Sequence, residues 1–190
     1  MRKVCGVGIN DTKGSSRERL YHLWCSILYR CYSKDGKLKN PSYDGCYVSE
    51  EWLTYSKFRE DVTKLVGYSE EGWQLDKDIL VKGNKVYSKD TCCFVPSQIN
   101  SLFAIRKSYR GELPIGVCIE HKSKKRPYSA QCSVDGKYVV IGYYQTIDEA
   151  FYAYKSFKEL NIKRCAKMYV DRIDKRVYDS LMSWSIEITD

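Results

Sequence analysis

The sequence predicts an α+β protein. A helical segment and a small ββα unit come first, and a three-stranded antiparallel sheet packed on one helix follows. Three observations carry this. Apolar residues recur at steps of three and four over Arg17–Tyr32 and again over Glu50–Leu65, the spacing of a helix with one buried face. Between residues 115 and 144 the pattern changes to alternation, interrupted by Asp135-Gly136, a strong two-residue hairpin signal. Thr146 with Glu149 three residues on then forms a capping box at the start of another amphipathic stretch.

Taken in order, the first 15 residues contain Gly and Lys and read as a loose lead-in. Ser15 or Ser16 is the expected N-cap of the first helix, whose buried side carries Leu20, Leu23, Trp24, Ile27, Leu28 and Cys31. Residues 33–46 are polar and hold two turn signals, Asp35-Gly36 and Asp44-Gly45, so a loop is expected. Trp52, Tyr55, Phe58, Val62 and Leu65 mark the second helix, with Gly67 where it should stop. Trp24, Trp52 and Phe58 are expected in the core.

The run from Leu75 to Asn100 is the most informative. It reads as a strand with two carboxylates (Asp76, Asp78), a Gly83-Asn84 turn, a strand over Cys92–Val95, and a helix opened by Pro96 and carrying Asn100. A carboxylate on a strand and an amide oxygen on a short helix are hard oxygen donors suited to Mg²⁺ or Mn²⁺. Asp76 and Asn100 are therefore the candidate metal ligands.

This run resembles the HNH or His-Me-finger nucleases of phage genomes and homing elements. The resemblance lies in Leu75-Asp76-Lys77-Asp78 at their first strand, Gly83-Asn84 in their loop, Tyr87-Ser88 with Thr91-Cys92 in their middle turn, and Asn100 at their final Asn. It implies metal-dependent hydrolysis of DNA phosphodiester bonds, with Asp76, Lys77 and Asn100 as the catalytic candidates. One position departs from the pattern. Lys77 stands where these nucleases place the general-base His, and the only histidines, His22 and His121, lie outside the run. A lysine there can act as a base only if its pKa falls by several units from about 10.4, and otherwise serves as a point charge for phosphate.

In the second half, strands are expected over Ile115–Ile119, Tyr128–Val134 and Lys137–Tyr144, with a helix from Ile147 to about Leu160. Ala130 and Cys132 should face that helix, which leaves Gln131 and Ser133 outward. About 55 residues of this part resemble the ethylene-response-factor (apetala-like) type of DNA-binding domain. The resemblance rests on Gly-Val at the first strand, Ala130 in the second, Ile141-Gly142 in the third and Thr-x-x-Glu-Ala at the helix. It implies that the exposed sheet face enters the major groove of double-stranded DNA. Lys122, Lys124, Lys125, Arg126, Gln131, Ser133, Lys137 and Tyr138 are the DNA-face candidates. The last stretch, Val170–Asp190, has helical spacing through Ile173, Val177, Leu181 and Trp184 and should pack back on the body.

Charge agrees with a nucleic-acid partner. The net charge is +8, and the excess is densest over residues 101–145, where 8 basic face 3 acidic side chains. With 43% hydrophobic and 14% aromatic residues, the chain is not a disordered tail. No apolar run approaches about 18 residues, so no membrane partner is expected. The start lacks the apolar core of a signal peptide. The nine cysteines are odd in number and contain no Cys-x-x-Cys pair, which favours reduced thiols and a cytoplasmic location (the host cytoplasm, if phage-encoded). A structural Zn²⁺ on Cys31, Cys46 and Cys92 or Cys93 gains little support from that spacing.

The expected organisation is a nuclease module over residues 1–107, with a helical leader over 17–66 and the motif over 73–103, followed by a DNA-binding domain over 113–190. The expected function is a phage-type, homing-like HNH DNA endonuclease. The alternative is a catalytically inactive DNA-binding protein, or a phage regulator or inhibitor of a host nucleic-acid system.

Overall fold

A computed structural model of the chain describes residues 3–103, 112–121 and 123–190. It is a mixed helix and sheet structure with two compact units. One comprises the chain up to Val95 together with Arg172–Val177. The other comprises Pro96–Asp171 with Tyr178–Asp190. Among the described residues no helix is long and apolar enough to cross a membrane.

In the first unit, α1 spans Arg19–Tyr32 and buries Leu20, Trp24, Ile27, Leu28 and Cys31, the stripe that the periodicity marks. Its N-cap is Glu18 rather than Ser15 or Ser16. Ser15 instead opens a 3-10 turn, Ser15–Arg17, where its hydroxyl donates to Asn10 Oδ1 and to the Thr12 carbonyl. The lead-in is tied down rather than loose. Ile9 donates its amide to the Leu53 carbonyl and accepts from the Tyr55 amide. The Asp11 carboxylate accepts from the Ser56 amide at 3.0 Å.

Two further differences from the expectation have local causes. Residues 33–46 are not a plain loop: α2 spans Lys34–Lys39 and a 3-10 turn spans Pro41–Tyr43. The Ser33 hydroxyl accepts from the Gly36 amide as a true N-cap. Gly36 then passes so close to α1 that a Cβ would lie 2.0 Å from the Tyr29 carbonyl oxygen, so its missing side chain serves packing rather than a turn. The second expected helix is divided into a 3-10 turn, Glu51–Leu53, and α3, Tyr55–Val62, with extended Thr54 between them.

Trp24, Trp52 and Phe58 are fully buried, as expected. Both indoles are satisfied: Trp24 Nε1 donates to the Trp52 carbonyl at 2.7 Å and Trp52 Nε1 to Asp61 Oδ2 at 2.9 Å. Four short strands complete the unit. β1 (Tyr47–Val48) pairs in parallel with β3 (Val86–Tyr87), and β2 (Gln74–Asp76) pairs antiparallel with β4 (Cys93–Val95).

The second unit begins with α4, Ser97–Ser101, for which Pro96 is the N-cap and not the first helical residue. β5 (Val117–Ile119), β6 (Tyr128–Val134) and β7 (Lys137–Tyr144) form an antiparallel sheet in that order. Helix α5 packs against it. It extends over Ile147–Met168, well past Leu160, from the expected capping box of Thr146 and Glu149. Ala130 and Cys132 are buried beneath α5 with Ala150, Phe151 and Tyr154. Gly116, at φ +79°, admits the Tyr154 ring so closely that a Cβ would clash at 2.1 Å. Helix α6 (Lys175–Ser183) follows; Ile173 and Val177, which belong to the first unit, are buried, as is Leu181 in the second. The alternating Trp184–Ile188 forms no strand.

Candidate functional site

The loop between β2 and β3 is built around three side chains. The first is Asp76, the last residue of β2. Its Oδ1 accepts two backbone N–H groups, from Asp78 at 2.7 Å and from Ile79 at 2.8 Å. Its Oδ2 accepts no hydrogen bond from a described residue. Burial is the largest influence on this carboxyl and raises its pKa, while the two amides pull it down.

The second is Lys77, which is buried. Its Nζ donates to both carboxylate oxygens of Asp78, at 2.6 and 2.7 Å, and to the Asn84 carbonyl at 2.8 Å. The Tyr43 and Tyr87 rings lie beside it, with centroids 5.8 and 6.0 Å from Nζ. The third is Asn84. Its amide nitrogen donates to the carbonyls of Lys77 and Val86, each at 2.7 Å, and its Oδ1 accepts from the Val86 amide at 3.1 Å. Asn84 thus ties the end of β2 to the start of β3. The Gly83-Asn84 pair signals the turn in the sequence, but only the folded loop reveals this bridging role.

A second cation borders the same rings. Arg30 lies with its guanidinium carbon 4.9 Å from the Tyr43 centroid and 5.9 Å from that of Tyr87, and it donates to the Tyr43 hydroxyl at 2.9 Å. Burial pushes the Tyr87 phenol far up and the Cys31 and Cys92 thiols up to about 11 and about 12. Both sulfurs are neutral thiols at neutral pH, the form in which they are weak nucleophiles and weak metal ligands. Among the described residues no group of three or more His, Cys, Asp or Glu is gathered as a metal cage. Asp76 itself fits one part of a hard-cation site, since its second oxygen is unengaged among the described residues and a nearby cation would offset its desolvation. Asn100 belongs to α4 and to the other unit. His22 and His121 are both exposed.

The sheet of the second unit holds the remaining candidates. Cross-strand pairing puts Gln131 opposite Val140, Ser133 opposite Tyr138 and Ser129 opposite both Tyr143 and Cys118. These residues share the face away from α5. Gln131 is half-buried, and its Nε2 donates to the Ser129 hydroxyl at 3.1 Å. Ser133, Lys137 and Tyr138 are exposed. Lys137 pairs with Val134 at the hairpin end, one step out of phase with the outward residues. The β5–β6 connection is closed by the Glu120 amide donating to the Pro127 carbonyl at 2.7 Å, and Lys124, Lys125 and Arg126 stand exposed on it. Lys122 lies outside the described residues.

Sequence reasoning missed Val140 and Tyr143 as outward residues. The register shifts between Ala130 and Gln131, so that Ala130 faces Gly142 while Gln131 faces Val140. Ile141 is the extra residue of a bulge, which reverses the alternation after it.

No family model, no curated protein and no solved structure matches the chain.

Proposed function

We propose that this chain binds double-stranded DNA through the outer face of the β5–β6–β7 sheet, with the β5–β6 tip holding phosphate. The observation that carries the reading is one arrangement. A three-stranded sheet is backed by the 22-residue helix α5, its other face carries exposed Ser133, Tyr138, Val140 and Tyr143, and three consecutive cationic side chains, Lys124, Lys125 and Arg126, project from one end. A two-stranded ribbon of such a sheet fits the major groove, and exposed cations at its end meet the backbone. Replacing all three cations by Ala should weaken binding to duplex DNA and flatten its salt dependence, by about 0.9 in log–log slope for each phosphate no longer neutralised. An unchanged slope would remove the tip from the interface.

A second reading is that the first unit hydrolyses DNA in the manner of the HNH nucleases. What favours it is the unengaged oxygen of the half-buried Asp76. Asp76 would hold Mg²⁺, which supplies charge stabilisation at the phosphate and at the leaving oxygen. In this reading Lys77 is a positioning residue: all its protons serve Asp78 and Asn84, and giving one up would break that pair. The test is relaxation of a supercoiled plasmid with Mg²⁺ or Mn²⁺. Cleavage by the wild type that Asp76→Ala abolishes would establish the enzyme. Intact plasmid with retained binding would leave the DNA-binding protein alone.

A further inference from the structure

The outward side chains of the three strands have an unusual composition for a surface proposed to meet DNA: none is charged. The cations sit at the tip, and the face itself carries Gln131, Ser133, Tyr138, Val140 and Tyr143, with Cys118 at its β5 edge. Its apolar members are well exposed, Tyr138 at 81%, Val140 at 49% and Tyr143 at 48%. A guanine in the major groove offers two acceptors, N7 and O6, and is read most often by Arg or Lys. This face has neither. It has the complementary pair for A·T. A Gln carboxamide matches adenine, giving N–H to N7 and accepting from N6. An apolar side chain matches the thymine methyl.

The local geometry prepares Gln131 for that role. One Nε2 proton is held by the Ser129 hydroxyl, and Ser129 is itself buried. That bond restrains the carboxamide before any base arrives. Among the described residues nothing engages the second Nε2 proton or Oε1, which match the two groups on an adenine edge. Val140 is the direct cross-strand partner of Gln131, so an amide reader and a methyl reader sit side by side. The two outer tyrosines flank them, paired with Ser133 and Ser129. Adenine and the 5-methyl of an adjacent thymine present this same order along the groove floor.

We propose that the sheet is a reader of A·T base pairs, with Gln131 on adenine and Val140, flanked by Tyr138 and Tyr143, on thymine methyls. The tip supplies sequence-independent grip, and the face supplies selectivity. The inference rests on the DNA-binding reading above and names the sequences that reading leaves open.

The test uses the full chain and three duplexes of equal length with identical flanks. One has an A·T-rich core, one a G·C-rich core, and one is the A·T duplex with every core dT replaced by dU, which removes methyl groups and leaves pairing intact. The A·T duplex should bind tightest. The G·C duplex should bind at least about fivefold more weakly, the lower limit for one good amide–adenine pair. The dU duplex should bind about fourfold more weakly for each methyl that the face covers, the value of one buried methylene. Val140→Ala should erase much of the dT–dU difference while leaving the salt slope unchanged. Equal, salt-sensitive binding of all three duplexes would overturn this inference and leave the DNA-binding reading standing. Binding to none of them would overturn both. The dU comparison alters only the DNA, so it decides the matter even if a face variant folds poorly.

Discussion

Two lysines of this chain are buried to almost the same degree, Lys77 at 6% exposure and Lys158 at 7%, and they live in opposite surroundings. Lys77, in the β2–β3 loop of the first unit, has three acceptor atoms within 2.8 Å and an aromatic ring on two sides. Lys158, on α5 beneath the sheet of the second unit, donates to no described residue. Its charged neighbours would be the thiols of Cys132 and Cys165, and burial lowers its pKa. Three residues on, Asn161 Nδ2 is buried with no acceptor among the described residues, while its Oδ1 accepts from Arg164.

The two units thus keep their polar order in different places. In the first unit, buried polar groups build the loop. Buried Lys77 is held there by Asp78 and Asn84, which are both partly exposed, in a unit whose core is the apolar cluster around Trp24, Trp52 and Phe58. In the second unit, apolar packing of α5 on the sheet is sufficient, and the polar groups under the helix are tolerated at a cost. Buried ion pairs are poor sources of net stability yet costly to break, whereas an unpaired buried ammonium is a liability outright.

Three measurements bear on this contrast. The largest effect concerns Lys77. Lys77→Met should destabilise the protein by about 2–3 kcal/mol, below the roughly 3–5 kcal/mol for a fully buried pair because the Asp78 side chain is 45% exposed. Chemical denaturation followed by tryptophan fluorescence would measure it. A loss under about 0.5 kcal/mol would show that the loop does not depend on the pair.

Next comes Lys158, for which the sign reverses. Lys158→Met keeps the volume and removes the unpaired charge, so stability at pH 7 should stay level or rise by about 1 kcal/mol. The wild type also carries a pH signature. Its folded-state pKa lies below the unfolded value, so between the two the unfolded chain holds more protons and stability rises with pH. The difference between wild type and Lys158→Met should therefore shrink as pH climbs from 7 toward 10. A difference that does not vary with pH would mean that Lys158 is not desolvated in solution.

The last test separates the two parts that Asp76 plays in the loop, hydrogen-bond acceptor and buried charge, and its Asn variant carries the smallest effect. Asp76→Asn retains an oxygen for the Asp78 and Ile79 amides and removes a charge that burial disfavours, so stability should be unchanged within about 0.5 kcal/mol or slightly higher. Asp76→Ala deletes the acceptor of both amides and should cost about 1–2 kcal/mol. If Mg²⁺ binds at Asp76, millimolar MgCl₂ should raise the melting temperature of the wild type and of neither variant. A Mg²⁺ effect that survives in Asp76→Ala would place the cation elsewhere.

Several elements were readable because their causes are local. The α1 stripe, the Asp135-Gly136 hairpin with its flanking strands, and the Thr146–Glu149 cap each depend on residues within a few positions of one another, and each occurs where the pattern puts it. The burial of Ala130 and Cys132 followed from strand parity and from their small size, which lets helix and sheet approach closely. The place of Asp76 on a strand was equally legible.

Other features have causes that no periodicity or capping pattern displays. Gly36 looked like a turn residue and is helical, since what it must accommodate is the Tyr29 carbonyl of another helix. β1 and β3 pair in parallel across some forty residues, a pairing that no local pattern encodes. Lys77 read as a base or a phosphate clamp, and the fold surrounded it with Asp78 and the Asn84 carbonyl. The bulge at Ile141 turned Tyr143 outward against simple alternation, because the ladder to β6 has one residue too few. Periodicity and capping, which lie in the sequence, were enough to set which segments are helix or strand and which faces are apolar. Which polar groups are already engaged, and which remain to meet a ligand, was decided by the folded chain, since hydrogen-bond partners are chosen in space and not along the backbone.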